Sequence, residues 1–287
     1  MSFAMPAKRG RPSKADLLER AAVQQKVEVK RPDAEVLKDL LERFGMLGKL
    51  TTAAVNSNIR SLVVTGAPGV GKTFTVENVL QQTKDDEETS YEIVKGALSA
   101  VNLYKLGYYN REPGNVIVLD DADSIFTDED ALNILKALCD SSPTRRVNWM
   151  KESLALKNDE RGEVPNAYDF HGSFIFISNL DFQKYVDHGS NKYVAHFEAL
   201  MSRSLYLDLR LHDLQAVSLW INHVATAGKL LEREGVPPMR AEQILNFIKT
   251  HRDNLRELSL RTLVKLAQLS RIHEDWERMA LVLLCRS

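Results

Sequence analysis

The sequence predicts an α/β fold, in which helices cover a parallel β-sheet, followed by a small all-helical region. From Ser61 onward, short apolar runs alternate with helical patterns, as in a sheet whose strands are joined by helices. Residues 116–119 and 174–177 are apolar at every position, which is typical of parallel strands buried on both faces. Beyond Leu211 the alternation stops, and apolar residues recur at helical spacing.

Length and composition fit one principal domain with small additions. The chain has 287 residues, of which 44% are apolar and 27% are charged, as in a soluble globular protein. The 38 lysines and arginines nearly balance the 39 aspartates and glutamates, so binding to nucleic acid or a membrane must be local. Cys139 and Cys285 lack metal-ligand spacing, and there is no signal peptide or long apolar run. We therefore expect a cytoplasmic protein.

The first 32 residues predict a disordered basic tail that carries one short helix. Ser13 and Asp16 resemble a capping box for that helix. Arg9 and Arg11, in the sequence Arg-Gly-Arg-Pro, match the core of an AT-hook, which lies in the narrow minor groove of A/T-rich DNA. The alternative is a basic tail that solubilises the protein or binds RNA.

A helix is predicted over residues 33–44, before the sheet begins. Leu37, Leu40, Leu41 and Phe44 recur at three- and four-residue intervals and form one apolar stripe. Gly45 ends the pattern and predicts the end of the helix.

The remaining elements divide the chain into a sheet domain over residues 33–211 and a helical domain over 212–287. Strands are predicted at residues 61–65, 91–95, 116–119 and 174–177, with an edge strand at 204–209. Helices follow near residues 213–231, 239–250, 259–269 and 274–285.

A complete phosphate-binding loop follows the first predicted strand. Its glycines let the backbone wrap an anion, and the N–H groups at the start of the next helix converge on the phosphates. Lys72 supplies a mobile positive charge, and the Thr73 hydroxyl is placed to bind Mg²⁺. The predicted nucleotide contacts are Gly66, Ala67, Pro68, Gly69, Val70, Gly71, Lys72, Thr73 and Phe74.

Two aspartates follow the apolar strand at residues 116–119. In P-loop enzymes a carboxylate at this strand end holds the Mg²⁺ shell, and we assign that role to Asp120. The next residue usually polarises the attacking water and is commonly glutamate; here it is Asp121, one methylene shorter, so hydrolysis is expected to be slow. The alternative is that the paired aspartates cap the following helix, a role also predicted for Asp123.

These motifs, in this order, resemble the AAA+ ATPase family over roughly residues 37–269. The resemblance implies a three-layer αβα P-loop core, a helical lid domain, ATP and Mg²⁺ as ligands, and assembly into a homo-oligomeric ring, usually a hexamer. The small size and the AT-hook-like tail resemble bacteriophage or bacterial members that act on DNA, which would place the protein in the host cytoplasm.

Three further residues match catalytic positions of the family. Asn179, after the strand at residues 174–177, matches sensor 1 and would orient the attacking water; the alternative is an asparagine that satisfies a turn. Arg203 resembles the arginine finger that reaches the neighbouring subunit's ATP. Arg261, at the start of a lid helix, resembles sensor 2. For both arginines the alternative is an ordinary surface side chain.

The segment at residues 141–172 predicts a β-hairpin before sensor 1. Such hairpins point into the central pore of family members that resemble DNA helicases, which makes Arg145 and Arg146 candidate DNA contacts; the alternative is a solvated loop. Residues 96–99 occupy the place of the family's first pore loop but lack the aromatic residue usual in protein unfoldases.

The leading hypothesis is therefore a ring-forming ATPase that acts on DNA or on a DNA-bound complex. A second hypothesis is a protein remodeller or helicase loader that makes no direct contact with DNA. A third is a P-loop kinase or nucleotide switch that has no mechanical role.

Overall fold

The computed structural model describes residues 31–83, 90–142, 144–188, 194–211 and 213–286. Its strands are β1 (Ser61–Thr65), β2 (Tyr91–Lys95), β3 (Val116–Asp120), β4 (Arg145–Asn148), β5 (Ala167–Phe170), β6 (Ser173–Ser178) and β7 (Leu205–Asp208). Its helices are α1 (Asp33–Val55), α2 (Lys72–Gln82), α3 (Ala100–Tyr109), α4 (Glu129–Leu138), α5 (Leu154–Lys157), α6 (Phe182–His188), α7 (Val194–Arg203), α8 (Leu214–Ala225), α9 (Leu230–Arg233), α10 (Pro238–His251), α11 (Leu260–Ile272) and α12 (Trp276–Leu284). The predicted tail, its helix and the AT-hook-like Arg9 and Arg11 lie outside the described residues.

Five strands form one parallel sheet in the order β2-β3-β6-β1-β7. The register places Thr65 of β1 beside Ser178 of β6 and Asp208 of β7, and it places Asp120 of β3 beside Ile177. All five predicted strands are therefore confirmed: β7 lies at an edge as predicted, and β2 lies at the other edge. Since these parallel strands end at one edge, the residues that follow β1, β3 and β6 are brought together there.

The sheet separates two apolar layers, because successive side chains of a strand point to opposite faces. On β1, Leu62 and Val64 pack with helices α1, α2 and α8, whereas Val63 packs on the other face with α3, α4 and α7. The predicted three-layer αβα core is confirmed.

Helix α1 is longer than predicted, because it continues through Gly45 to Val55. A glycine inside a helix costs about 1 kcal/mol relative to alanine. Burial of each large apolar side chain contributes about 1.5–3 kcal/mol, and the later turns bury Leu47, Ala54 and Val55. Packing therefore outweighs the glycine. Leu41, predicted to be in the buried stripe, is 41% exposed.

The single helix predicted over residues 213–231 is instead two helices, α8 and α9. Lys229 adopts a left-handed conformation with φ 55°, which interrupts a right-handed helix. A β carbon on Gly228 would lie only 2.7 Å from the Val224 carbonyl oxygen, so the chain turns where no side chain is present.

Helices α8 to α12 enclose an apolar core of their own, which includes Ile221, Phe247, Leu263 and Trp276. The predicted all-helical lid is thus confirmed as part of the fold; its boundary at residue 212 remains a proposal. None of the helices in the described ranges is both long and apolar enough to span a membrane.

The predicted hairpin is present as a two-stranded antiparallel sheet, β4 with β5. Arg145 pairs with Phe170 at one end of the ladder, and Asn148 pairs with Ala167 at the other. The connection between the two strands is long and carries the short helix α5.

Candidate active site

The phosphate loop lies between buried strand β1 and helix α2, as predicted. Gly69 and Gly71 have φ values of 71° and 103°, a region that favours glycine because a β carbon would be strained there. Gly71 is the N-cap of α2 and Lys72 is its first residue. The positive end of the helix dipole therefore faces the loop, as an anion site requires.

Lys72 is buried, and its ammonium group bridges the loop to the end of β6. Its Nζ donates to the carbonyl oxygens of Gly66 at 2.8 Å and Ala67 at 3.0 Å, and to Asn179 Oδ1 at 2.8 Å. Burial lowers the Lys72 pKa to about 8, although attraction to Asp121 and Asp120 opposes the shift.

Thr73 and Asp120 form the pair predicted to bind a metal. The Thr73 hydroxyl donates to both carboxylate oxygens of Asp120, at 2.9 and 3.0 Å. Burial raises the Asp120 pKa, whereas the Thr73 hydrogen bond lowers it. Lys95 Nζ lies 3.6 Å from the same carboxylate and 2.8 Å from Glu77.

This oxygen pair fits Mg²⁺. In the part of the chain that the structure describes, no group of three or more His, Cys, Asp or Glu side chains is arranged to hold a metal. Mg²⁺ in phosphate-transfer sites commonly uses one or two carboxylates, with phosphate and water oxygens as the other ligands, so one carboxylate and one hydroxyl suffice.

Asp121 and Asn179 are joined directly. The Asn179 amide Nδ2 donates to Asp121 Oδ1 at 2.8 Å, and both side chains are exposed. Asp121 has a φ of 52°, and its own N–H donates to the carbonyl of Ile177, so the backbone holds this carboxylate at the end of β3. The sequence placed these residues on different strands; the structure brings them together beside Lys72.

Asp123 was predicted to cap a helix, and the structure does not bear this out. Its carboxylate instead accepts a 2.7 Å hydrogen bond from Ser178 Oγ, which ties the segment after β3 to the end of β6. Burial raises the Asp123 pKa. The N-cap of α4 is Asp128, which accepts from the N–H groups of Asp130 and Ala131.

A cavity of about 620 Å³ lies between the phosphate loop and the lid. Its size falls within the range of small-molecule sites. Lys72, Thr73, Asp120, Asp121 and Asn179 all line it from the sheet domain.

The lid supplies the other wall of this cavity. Arg261 lines it, and a β carbon on Gly69 would lie 3.2 Å from Arg261 Cγ, so this arginine packs against the loop; its contact with the phosphates stays a prediction. Arg233 stacks over the Phe74 ring at 5.0 Å, and Val224, Leu230 and Val264 add apolar surface. The cavity thus has a charged end and an apolar end.

Arg203 lies away from this cavity, at the opposite end of β1. Its backbone carbonyl accepts a hydrogen bond from Ser61 Oγ, at the start of the strand. The Arg203 side chain is about one-third exposed, lies 3.4 Å from Asp140 and donates to Ala199 O at 2.8 Å. Because Gly66, the first residue of the phosphate loop, lies five residues beyond Ser61, the loop begins about 16 Å farther along the strand.

The two arginines of β4 differ in their surroundings. The Arg145 guanidinium is buried, donates to the carbonyls of Leu138 and Gly172, and stacks on Phe170. Because this guanidinium lies in the interior, the structure does not support the predicted role of Arg145 as a DNA contact. Arg146 is exposed and lies 3.2 Å from Asp169.

Two contacts to the phosphate loop were missed by sequence reasoning. The Trp220 indole N–H donates to Val70 O at 2.8 Å, and the Leu260 N–H donates to Gly69 O at 3.0 Å. No local pattern could reveal the first, because its two residues lie 150 positions apart. The Ser259 N-cap was detectable as a helix start, but its packing against Gly69 was not.

No protein-family model matches the sequence. The chain is 34% identical over 254 residues to the "uncharacterized 36.7 kDa protein in nrdC-mobD intergenic region" of Enterobacteria phage T4, a match that spans 88% of this chain and 77% of that protein.

Solved structures align with the chain at low identity. A chain of Drosophila ORC bound to DNA aligns with a TM-score of 0.46 and 13% identity, over 88% of this chain and 71% of its own. NtrX from Brucella abortus, with ADP or ATP, aligns with TM-scores of 0.40 at 9% and 11% identity. These alignments span 94% and 93% of this chain, and 54% and 65% of the NtrX chains.

Proposed function

We propose that this chain, which belongs to the same family as the 36.7 kDa protein of Enterobacteria phage T4, is an AAA+ ATPase that works as a homo-oligomeric ring on DNA or on a DNA-bound complex. One observation carries the ATPase proposal. The residues that follow β1, β3 and β6 converge in a single cavity, through the Thr73–Asp120 and Lys72–Asn179–Asp121 hydrogen bonds. The phage relative supports the host cytoplasm as the site of action.

ATP would bind with its phosphates in the loop and its base toward the apolar end of the cavity. Lys72 would exchange its contacts with the loop carbonyls for the β- and γ-phosphates, because an ammonium pairs more strongly with an anion than with a neutral carbonyl. Thr73 and Asp120 would hold Mg²⁺, which neutralises charge on the phosphates when bound.

Asp121 and Asn179 would prepare the attacking water. Asp121 Oδ1 accepts from the Asn179 amide, so its other oxygen is available to accept a proton from a water. The amide of Asn179 fixes the direction of that carboxylate, which contributes to catalysis by positioning. Because an aspartate reaches less far than a glutamate, we expect slow turnover.

Arg203 supports the ring part of the proposal. Its backbone lies about 16 Å along β1 from the phosphate loop of its own chain, a separation that fits a guanidinium acting on a neighbour's site and not on its own. A guanidinium that reaches the γ-phosphate stabilises charge in the transition state, which would make hydrolysis depend on assembly.

The DNA part of the proposal is supported by charge. Arg9 and Arg11 form the AT-hook-like sequence, and Arg146 is exposed on β4 of the two-stranded sheet. Since the whole chain has a net charge of −1, such local arginines are the groups that would contact phosphates.

The test is the ATPase rate per subunit at increasing protein concentration, with and without A/T-rich duplex DNA. We expect the rate to rise with concentration and with DNA in the wild type, and the effect of DNA to be lost in Arg9→Ala plus Arg11→Ala. Lys72→Ala is the background control. A rate per subunit that does not change with concentration would contradict the ring.

Two other outcomes point to the alternative functions. An ATPase rate that rises with protein concentration but does not change when DNA is added would favour a protein remodeller or helicase loader. Tight ATP binding by a monomer without turnover would favour a nucleotide switch.

A further inference from the structure

Trp220 joins three parts of the molecule at the back of the phosphate loop. It belongs to α8, the helix that packs on both the sheet core and the lid core. Its ring stacks on Phe44 of α1, with centroids 3.9 Å apart and planes 14° from parallel. Its indole N–H donates to the carbonyl of Val70 at 2.8 Å in a buried setting. The ring is therefore fixed in place, and the hydrogen bond has a defined direction.

The Val70 carbonyl belongs to the peptide that also contains the Gly71 N–H. In a planar trans peptide the C=O and N–H bonds point in opposite directions. Val70 and Gly71 line the cavity, whereas Trp220 lies outside the set of described residues that line it. A carbonyl held by Trp220 on the far side therefore turns the Gly71 N–H toward the cavity.

We propose that Trp220 is a positioning residue for the phosphates: its indole N–H fixes the Val70–Gly71 peptide so that the Gly71 N–H points at the bound anion. The proposal rests on the nucleotide-binding function proposed above. The peptide before it is held in a similar way, because the Leu260 N–H at the start of α11 donates to Gly69 O at 3.0 Å. Two lid elements thus hold consecutive carbonyls of the loop.

The chain offers a matched control in Trp149. Both Trp149 and Trp220 are 7% exposed, but Trp149 Nε1 has no hydrogen-bond partner within the described ranges. Trp220→Phe removes an aromatic N–H that is bonded, and Trp149→Phe removes one that is not. The two changes cost similar apolar contact, so they differ mainly in the hydrogen bond.

The experiment measures dissociation constants for ATP and for inorganic pyrophosphate, together with the melting temperature of each variant. We expect Trp220→Phe to weaken both ligands by about three- to tenfold, the usual range for one hydrogen bond, and Trp149→Phe to stay within about twofold of wild type. Because pyrophosphate has no base or ribose, its dissociation constant reports only on the contacts that the phosphate loop makes with phosphates. A purely structural role would lower the melting temperature of both variants and leave both dissociation constants unchanged.

A second variant covers the case in which Trp220→Phe does not fold. Replacing Trp220 with 3-benzothienylalanine keeps the bicyclic ring on Phe44 and removes only the N–H. The same loss of affinity is expected, and wild-type affinity in this variant would overturn the proposal. If the wild-type protein binds neither ATP nor pyrophosphate, both the nucleotide-binding function and the role of Trp220 are wrong. If the wild type binds them and the Trp220 variants bind them equally well, only the role of Trp220 is wrong.

Discussion

The ammonium group of Lys72 and the side-chain amide of Asn179 are hydrogen-bonded over 2.8 Å, and the same amide donates to Asp121 over 2.8 Å. The cation of the phosphate loop is thus linked to the residue proposed to activate water through one asparagine. This amide has two distinct roles, since its oxygen serves Lys72 and its nitrogen serves Asp121.

Asn179→Ala should separate binding from hydrolysis. The variant loses the group that orients Asp121, so kcat should fall by about 100-fold, as for other positioned hydrogen-bond donors. ATP affinity should change little, because Lys72 stays anchored near the loop by Gly66 and Ala67 in the free protein and remains available to pair with the phosphates. Asn179→Asp keeps an oxygen for Lys72 and removes the donor to Asp121, so it should be equally slow. Near-normal turnover in either variant would remove Asn179 from the mechanism.

Arg203→Ala should lower kcat by about 1000-fold and leave ATP binding intact, the effect expected for a finger that acts on the transition state. Arg146→Ala is the control, because both arginines pair with an aspartate. Arg146 lies 3.2 Å from Asp169, and Arg203 lies 3.4 Å from Asp140. Exposed pairs contribute little stability, so both variants should fold. The comparison is made without DNA, which Arg146 is proposed to contact, and equal turnover in the two variants would contradict the role of Arg203 as an arginine finger.

Mixing two inactive variants tests whether Arg203 acts on a neighbour. An Asp121→Asn subunit keeps its arginine, and an Arg203→Ala subunit keeps its active site, so a mixed ring contains complete interfaces. ATPase activity should reappear on mixing. Each variant alone provides the baseline, and a mixture that stays at that baseline would argue against action in trans.

ATP affinity should fall as the pH rises from 7 to 9. Phosphates bind the ammonium form of Lys72, and with a pKa of about 8 in the free protein most of that form is lost by pH 9. If ATP keeps the lysine protonated in the complex, the dissociation constant should increase by about tenfold across this range. Lys72→Arg stays charged throughout and should show a flat profile. A flat profile for the wild type would show that burial does not lower the Lys72 pKa.

The same shift predicts a change in stability. Because the Lys72 pKa is lower in the folded protein than its ordinary value of 10.5, the cost of burying the charge is present below pH 8. That cost disappears as the pH rises from 8 toward 10.5. The unfolding free energy of the wild type should therefore rise with pH in this range relative to that of Lys72→Met, as measured by urea denaturation.

Gly69→Ala should disturb both the loop and the lid. A β carbon at this position would lie 2.9 Å from Ser259 Cβ, and the φ of 71° adds left-handed strain. Gly235→Ala is a close control, since Gly235 has the same φ and nothing lies within 4 Å of its β carbon. The control should lose about 1–2 kcal/mol of stability. Gly69→Ala should lose more stability than this control and should also weaken ATP binding. Equal losses of stability in the two variants would show that Ser259 moves aside without cost.

The sequence predicted most of what is local and little of what depends on packing between distant segments. The phosphate loop, the buried strands and Asp120 were found because apolar runs, glycines and strand-end polar residues form short patterns. Gly45 misled the prediction for α1, since burial of Leu47 and Ala54 depends on a sheet that no local pattern reveals.

The site was predicted as a set of residues but not as a network. The role of Trp220 could not be read from the sequence, because its acceptor, Val70, becomes a neighbour only after the lid folds back on the loop. Arg145 was placed on the hairpin correctly, yet whether its side chain faces solvent or the interior depends on Phe170 and the carbonyl of Gly172.

The start of α1 has a mechanical consequence. Gln215, at the beginning of α8, donates to the carbonyl of Arg31 and to the carboxylate of Asp33, so residues 31–33 lie beside the helix that connects the sheet to the lid. Tension on Arg31 would act on α1 through the backbone and on α8 through these hydrogen bonds, and α8 carries Trp220 at its centre. Because Gln215 and Trp220 are five residues apart, such a load would act little more than one helical turn from the residue proposed to position the phosphate loop.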